Sequence, residues 1–286
     1  MDREPTPIAL PSLPRRARES HKGDFGKVNI ISGSQGYTGA PCLAAAGALR
    51  AGAGLVFLGV PGGVYPIVAA KTLCAMAYPL GTGPWLTEGE LEEAVERCRD
   101  RDAVVLGPGL GGHPATHAFA RRLARRTACA LVLDADGINA LAGHIEVLDS
   151  RRGRLTILTP HLGEFARLLG REVDRDRARE AQDFAAAHGC YLVLKGHRTL
   201  VACPDGEIYV NQTGNPGMAT GGSGDVLAGM VGGLLAQGLE PMAASPAAVY
   251  LHGLAGDLAA QALGEYAMTA ADILEYLPQA MRAAGG

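Results

Sequence analysis

Residues 215–230 read NPGMATGGSGDVLAGM, and this stretch decides the fold. Gly221, Gly222 and Gly224 permit positive φ and carry no Cβ, so several backbone N–H groups can converge on one point. A helix is predicted over Asp225–Gln237, and its first turn adds unpaired N–H groups and the positive end of the helix dipole. The stretch therefore predicts an anion site that suits a phosphate and the charge developing in phosphoryl transfer.

Asp225 lies next to this predicted anion site. A carboxylate in that position can take the proton of a substrate hydroxyl as the hydroxyl attacks phosphorus. The simpler alternative is that Ser223 or Asp225 only caps the helix. A cap needs one such residue and not four glycines within eight positions, so we favour the anion site. The stretch is neither a Walker A loop nor a GxGxxG turn.

Outward from this stretch, short apolar strands alternate with helices along the chain. Such alternation predicts an α/β fold with a mostly parallel sheet covered on both faces, and ligands bind such sheets at the carboxyl ends of the strands. The predicted strands are 27–32, 54–60, 103–106, 130–133, 155–158 and 191–194, with a hairpin of 199–203 and 207–211. The predicted helices are 40–51, 86–99, 114–126, 177–188, 225–237, 243–263 and 269–283.

Composition places the chain among globular proteins. It has 286 residues, 48% of them hydrophobic, and a net charge of −3, so general attraction to nucleic acid or membrane is not expected. The uncharged segment 51–70 is interrupted by Pro61-Gly62-Gly63, which predicts a turn and not a membrane span. We expect one domain over 21–286, preceded by a Pro- and Arg-rich arm over 1–20.

The six cysteines form no CxxC pair, and several lie in apolar helix-like or strand-like stretches. Free, buried thiols in a reducing compartment are therefore expected rather than a disulfide framework. The N-terminus has no apolar segment of the secretory type. Together these features predict a cytoplasmic protein.

Several polar residues follow the predicted strands. Lys195 ends a buried strand, where its charge needs a partner, either a phosphate or a local carboxylate. Asp134 and Asp136 either hold Mg²⁺ through water or form a turn. His161 either contacts a ligand or holds its loop, and Glu164 is interpreted as an anchor of the next helix.

One histidine pair has the spacing of a metal-binding helix. His113 and His117 are separated by four residues, but Pro114 excludes the HExxH pattern and no third ligand is present. We therefore predict no metal site formed directly by side chains there.

The chain resembles the ADP/ATP-dependent NAD(P)H-hydrate dehydratase family of the ribokinase-like superfamily. The resemblance runs from residue 20 to the C-terminus and rests on several motifs in a fixed order. The motifs are SHKGDFG (20–26), SGSQGYTGAP (32–41), LGPGLG (106–111), LDADGINAL (133–141), LTPHLGEFARLLG (158–170), VLKGHRT (193–199) and residues 215–230. The combination of TPHxGEF, KGxxT and GG[ST]GD separates this family from sugar kinases in general. The position of Ser223 more often holds threonine.

The resemblance implies a ribokinase-like three-layer αβα sandwich with a mostly parallel central sheet. It also implies a lyase that repairs damaged cofactors. In that reaction the hydroxyl of (6S)-hydrated NADH or NADPH is phosphorylated by ADP or ATP, and loss of phosphate restores NADH or NADPH. ADP is the expected cosubstrate, as in bacterial members, together with Mg²⁺.

The resemblance further implies roles for individual residues. Asp225 is the expected catalytic residue and contacts the substrate hydroxyl. Ala40, Gly109 and His161 are expected to line the substrate pocket. The expected nucleotide-binding residues are Lys195, Gly196, His197, Arg198 and Thr199, and Gly221, Gly222, Ser223 and Gly224 in the phosphate cradle.

The resemblance also has implications for the oligomeric state and for a partner enzyme. A homotetramer and cooperation with a separate NAD(P)H-hydrate epimerase are implied, since almost the whole sequence matches the dehydratase part. Two other functions remain open. A kinase of a vitamin-precursor alcohol would share the cradle and Asp225 but is disfavoured by TPHLGEF and the 33–39 loop. A nucleotide-binding regulator would not need Asp225.

Overall fold

A single nine-stranded sheet forms the centre of the protein in the computed structural model, which describes Leu13 and residues 15–285. The strand order is β3-β2-β1-β4-β5-β6-β7-β8-β9; the first seven strands in this order are parallel, and β8 and β9 are antiparallel additions at one edge. The strands are β1 (Lys27–Ile31), β2 (Leu55–Pro61), β3 (Met76–Leu80), β4 (Ala103–Leu106), β5 (Ala130–Leu133), β6 (Thr156–Leu158), β7 (Tyr191–Leu194), β8 (Leu200–Ala202) and β9 (Ile208–Val210).

Helices cover both faces of this sheet. They are α1 (Ala40–Arg50), α2 (Tyr65–Lys71), α3 (Leu91–Cys98), α4 (Pro114–Arg126), α5 (Asp136–Asn139), α6 (Glu146–Asp149), α7 (Leu162–Leu169), α8 (Arg177–His188), α9 (Ser223–Ala236), α10 (Pro241–Leu263) and α11 (Ala270–Ala283). Strand residues alternate between two cores: Val105 packs in the core that contains α1 and α9, whereas Val104 and Leu106 pack in the core that contains α4. The predicted three-layer αβα sandwich is therefore confirmed.

Most predicted elements are present, and the differences have local causes. Helix α9 begins at Ser223, two residues before the predicted start, because Gly222 takes the N-cap position. The segment predicted as one helix over 86–99 is a 3₁₀ turn at Glu88–Glu90 followed by α3. Strand β3 was not predicted. It is an edge strand that contains a proline and several exposed residues, so it lacks the continuous apolar run that indicates the buried strands.

Glycines bring α1 and α9 unusually close together. A Cβ on Gly229 would lie 1.9 Å from the carbonyl oxygen of Ala44, and a Cβ on Gly47 would lie 2.3 Å from that of Val226. Only glycine permits such backbone-to-backbone packing. Because α9 lies along the sheet in this packing, its N-terminus is fixed at the sheet edge where the parallel strands end.

Two further expectations concern the chain ends and the cysteines. The predicted arm over 1–20 lies mostly outside the described residues; within the described part, Arg16 donates to the Gly52 carbonyl at 2.5 Å and lies over the Phe25 ring. The six cysteines are free, but only three of them are buried; Cys74 is exposed, and Cys42 and Cys129 are partly exposed. Among residues 13 and 15–285, no helix combines the length and apolar character required to cross a bilayer.

Candidate active site

The polar residues that follow β5, β6 and β7 meet at the carboxyl edge of the sheet. Lys195 Nζ donates to Asp134 Oδ1 at 2.8 Å, and Thr159 Oγ1 donates to the same oxygen at 2.7 Å. Asp134 is 1% exposed and Lys195 is 18% exposed. Of the two partners that the sequence left open for Lys195, the local carboxylate is therefore present. The sequence did not single out Thr159.

The anion loop, residues 214–225, ends in the first turn of α9. Gly222 has a φ of +94° as the N-cap residue, and no side chain caps the helix. Among the described residues, the backbone N–H groups of Gly221, Gly222, Gly224 and Asp225 have no hydrogen-bond acceptor. The alternative that Ser223 or Asp225 serves only as a cap is therefore wrong. Four unpaired donors in one turn can hold an anion.

Lys195 extends this donor set with a full positive charge. A Cβ on Gly224 would lie 3.0 Å from Lys195 Nζ, so the ammonium group borders the anion loop. Burial lowers the pKa of Lys195, but the charges of Asp134 and of Glu164, whose carboxylate oxygen is 3.8 Å from Nζ, raise it more, and the net shift is upward. Lys195 therefore stays charged beside the anion loop.

Asp225 lies on the first turn of α9 within an acidic environment. Burial raises its pKa to about 7, and the charge of Asp134 adds to this shift. Asp136 and Glu164 contribute in the same direction, whereas Lys195 acts to lower the pKa. A carboxylate that titrates near neutral pH can take up and release a proton during a reaction at that pH.

His161 caps helix α7. Its Nδ1 accepts the N–H groups of Gly163 at 3.0 Å and Glu164 at 3.3 Å, and Glu164 Oε2 accepts the N–H of His161 at 2.8 Å. The interpretation of Glu164 as a helix anchor is thus confirmed. Because Nδ1 accepts, the proton of the neutral ring is on Nε2, which lies 3.5 Å from Glu164 Oε1; the side chain as a whole is 54% exposed. His161 therefore holds its loop through contacts of both ring nitrogens.

Asp136 uses both carboxylate oxygens in local hydrogen bonds. Its Oδ2 accepts the N–H of Gly111 at 2.8 Å and its Oδ1 accepts Asn139 Nδ2 at 3.2 Å. Ala135 between the two aspartates has a φ of +48°, a conformation that costs energy for a residue with a Cβ. Within 13 and 15–285, no three histidine, cysteine or acidic side chains are grouped to bind a metal directly. His113 instead accepts the Ala115 N–H as a helix cap.

Two loops place Ala40 and Gly109 side by side. Gly109 has a φ of +62°, and a Cβ there would lie 2.8 Å from Ala40 Cβ. The loops are joined because Ser32 and Ser34 donate their hydroxyls to the carbonyls of Pro108 and Gly109. These serines were not singled out from the sequence, and only their position in the motif at 32–41 could have indicated them.

Residues 195–199 form a compact turn next to α8. The Thr199 hydroxyl donates to the Gly196 carbonyl at 3.0 Å, and Arg198 has a φ of +57°. Arg177 at the start of α8 donates to the His197 carbonyl at 3.1 Å. Of the predicted site residues, Lys195 and Gly224 are therefore adjacent, Asp225 follows Gly224 on the first turn of α9, and Ala40 and Gly109 are in contact with each other.

Residues 28–279 match a sequence model of the NAD(P)H-hydrate dehydratase family. A Neisseria meningitidis protein named ADP-dependent (S)-NAD(P)H-hydrate dehydratase is 41% identical over 254 residues, 87% of this chain and 82% of that protein. A Moorella thermoacetica protein named bifunctional NAD(P)H-hydrate repair enzyme Nnr is 47% identical over 275 residues, 94% of this chain and 52% of that protein. The chain spans about half the length of such bifunctional relatives.

Solved structures agree with these matches. An ADP/ATP-dependent NAD(P)H-hydrate dehydratase from Bacillus subtilis, co-crystallized with ATP/Mg²⁺, has a TM-score of 0.81 and 32% identity, covering 96% of this chain and 95% of that one. A ribokinase-like superfamily protein from Enterococcus faecalis has a TM-score of 0.81 and 29% identity, covering 94% and 91% of the two chains. The fold is therefore ribokinase-like.

Proposed function

This chain belongs to the NAD(P)H-hydrate dehydratase family, and we propose that it catalyses ADP-dependent dehydration of (6S)-hydrated NADH and NADPH. The observation that carries this proposal is the combination of four unpaired N–H groups with Asp225, whose pKa is about 7, in one turn. Donors of this kind stabilise a transferring phosphoryl group, and the carboxylate can accept a hydroxyl proton.

The proposed reaction has two steps. Asp225 takes the proton of the ring hydroxyl, the hydroxyl oxygen bonds to the terminal phosphorus of the nucleotide, and the bond from that phosphorus to the nucleotide breaks. With ADP the nucleotide product is AMP. The carbon–oxygen bond of the phosphate ester then breaks, its electron pair leaves with phosphate, and a proton leaves the neighbouring ring carbon. Hydroxide is a poor leaving group, and phosphorylation replaces it with a good one.

The remaining predicted residues receive proposed roles in the same reaction. The four unpaired N–H groups of the anion loop and Lys195 hold the terminal phosphate, and the turn at 195–199 holds the rest of the nucleotide. Ala40 and Gly109 form the wall for the hydrated nicotinamide ring, because side-chain atoms beyond Cβ are absent there. The half-exposed His161 side chain contacts the substrate at the edge of this pocket.

Mg²⁺ is part of this proposal, and the donor set suits it. Asp134 Oδ2 is an oxygen ligand with no hydrogen-bond partner among the described residues, and Mg²⁺ prefers oxygen and retains water. Asp134, rather than Asp136 with both oxygens occupied, would hold the ion through water. When bound, Mg²⁺ neutralises phosphate charge.

Other parts of the proposal concern the cellular context. We infer that ADP is preferred over ATP, that a separate epimerase supplies the (6S) form, and that the protein acts as a cytoplasmic homotetramer. Two kinds of relatives support the cosubstrate and a link to a second repair activity: one is an ADP-dependent dehydratase, and others are bifunctional repair enzymes.

A direct assay tests the proposed function. The protein is incubated with hydrated NADH, ADP and Mg²⁺, and near-ultraviolet absorbance and free phosphate are followed together. We expect equal molar gains of reduced cofactor and phosphate, with weaker gains when ATP replaces ADP. Accumulation of a phosphorylated product without absorbance gain would favour a kinase instead, and no reaction with either nucleotide would contradict both.

The rate should depend on pH through Asp225. Because the base must be deprotonated and its pKa is about 7, kcat/KM for hydrated NADH should rise about tenfold per pH unit below pH 7 and level off above it. The terminal phosphate of the nucleotide also titrates with a pKa of about 6, so the pH dependence of ADP binding is measured separately by calorimetry. A kcat/KM that stays constant from acidic to alkaline pH after this correction would contradict the role of Asp225.

A further inference from the structure

Helix α10 lies directly behind the anion loop and contacts it through a buried histidine. His252 is 7% exposed, and its Nε2 lies 3.0 Å from the carbonyl oxygen and 3.4 Å from the hydroxyl of Ser223. A carbonyl oxygen only accepts, so Nε2 carries the proton and donates to Ser223. The contact is on the first residue of α9, between two of the unpaired N–H groups.

A carboxylate on the same helix contacts the other end of the loop. Asp257 Oδ2 accepts the N–H of Gly214 at 2.9 Å, and its Oδ1 accepts Asn215 Nδ2 at 3.0 Å. Asn215 in turn accepts the Gly217 N–H and so starts the 3₁₀ turn of the loop. Both oxygens of Asp257 are thereby used to hold the first two residues of the anion loop.

The helix is shaped to allow this close approach. A Cβ on Gly253 would lie 2.2 Å from the Thr213 hydroxyl oxygen, and a Cβ on Gly256 would lie 2.3 Å from Met218 Sδ. Thr213 also donates its hydroxyl to the Tyr250 carbonyl at 2.9 Å. The helix and the loop therefore have little room to move relative to each other.

We propose that His252 and Asp257 are positioning residues that fix the two ends of the anion loop, so that its unpaired N–H groups converge on the transferring phosphate. The inference rests on the proposed function of the loop as a phosphate site. It assigns to the Ala-rich helix α10 a role in catalysis that none of the sequence motifs indicated. Phosphoryl transfer depends on position, and a displacement of about 1 Å can cost about 100-fold in rate.

The ionisation of His252 fits this role. Burial lowers its pKa to about 4, the hydrogen bond to Ser223 opposes this shift, and the charge of Lys195 lowers the pKa further. The imidazole is therefore neutral at physiological pH, and Nε2 can donate without adding a second positive charge behind the cradle. A neutral amide donor of similar reach should replace it.

The test compares His252→Leu with His252→Gln. Glutamine keeps an N–H donor near the position of Nε2, whereas leucine fills the space without one. We expect His252→Leu to lower kcat about 10- to 100-fold and to weaken ADP binding about tenfold, with little change in KM for hydrated NADH. We expect His252→Gln to stay within about threefold of wild type. Gln261→Ala, an exposed position on α10, is the matched control.

Binding of ADP is measured by calorimetry, and kcat is measured well below the Tm of every variant. A role limited to stability would lower Tm in His252→Leu while leaving kcat and the ADP Kd unchanged, and that result would overturn the proposal. Equal losses in the leucine and glutamine variants would also overturn it. If His252→Leu does not fold, Asp257→Asn supplies the test, because asparagine keeps only one of the two acceptor oxygens. An ADP Kd equal to that of wild type in this variant would contradict the proposal.

The two proposals can fail separately. If wild-type protein does not dehydrate hydrated NADH but binds ADP, the proposed function fails, and the ADP affinities of the variants still decide whether α10 positions the loop. If wild-type protein is active and the His252 and Asp257 variants match it, only the positioning inference fails.

Discussion

Asp225→Asn is expected to reduce turnover of hydrated NADH by about 1,000-fold or more while ADP binding stays within about threefold of wild type. The amide has nearly the same shape as the carboxylate, and the N–H groups of the anion loop that hold phosphate are unchanged. The asparagine amide cannot accept the hydroxyl proton, so the substitution lowers kcat. The measurement is a coupled assay of absorbance and phosphate, with calorimetry for ADP.

The same substitution should stabilise the protein at alkaline pH. Asp225 titrates at about 7 in the folded protein, against 3.8 for an unperturbed aspartate, which is the reference for the unfolded chain. Between these values the folded state binds more protons than the unfolded state, so stability falls as pH rises through this window. At pH 8 the asparagine variant should gain on the order of 2–4 kcal/mol in free energy of unfolding, and at pH 4 the gain should nearly vanish.

Asp183→Asn is the matched control for both effects. Asp183 lies on α8, its side chain is 75% exposed, and its ion-pair partner among the described residues is Arg179, at 3.8 Å. It should leave turnover and the pH dependence of stability unchanged. Retained turnover in Asp225→Asn would remove Asp225 from the role of base. An Asp225→Asn variant no more stable than wild type at pH 8 would show that the buried, ionised Asp225 carboxylate does not destabilise the folded protein.

The edge of the sheet where the site lies could be predicted, because buried parallel strands leave a clear signal. Apolar runs ending in Asp134, Thr159 and Lys195 place these residues at the carboxyl ends of adjacent strands. The partner of Lys195 could not be chosen from the sequence, since a bound phosphate and a carboxylate relieve the same electrostatic cost. Distances across three strands were needed to identify Asp134.

The role of α10 could not be predicted, for a different reason. The helix is rich in alanine and apolar nearly all round, so no hydrophobic stripe indicates which side of it faces the anion loop. His252 and Asp257 are polar exceptions in that helix, and a polar residue in such a context has no sequence signal that separates a structural contact from a positioning one. A structural role and a positioning role can be told apart only when the contacts with Ser223, Gly214 and Asn215 are known.

Gly229→Leu is expected to prevent folding, and Gly229→Ala is expected to lower the free energy of unfolding by about 2–3 kcal/mol. On helix propensity alone alanine should be better than glycine by about 1 kcal/mol. The steric effect has the opposite sign and is larger, because the new Cβ would lie 1.9 Å from a backbone oxygen of Ala44 that cannot rotate away. Denaturant unfolding and Tm measurements decide between them.

The contact between α1 and α9 at Gly229 also affects the candidate active site. Moving α9 away from α1 displaces the helix N-terminus that carries Asp225, so Gly229→Ala should weaken ADP binding about tenfold even when folded. Gly112→Ala is the control, since no heavy atom lies within 4 Å of a Cβ at that loop glycine. A Gly229→Ala variant with a Tm at or above that of wild type would show that helix propensity outweighs the contact. The close packing of α1 and α9 would then not be what holds the anion loop at the sheet edge.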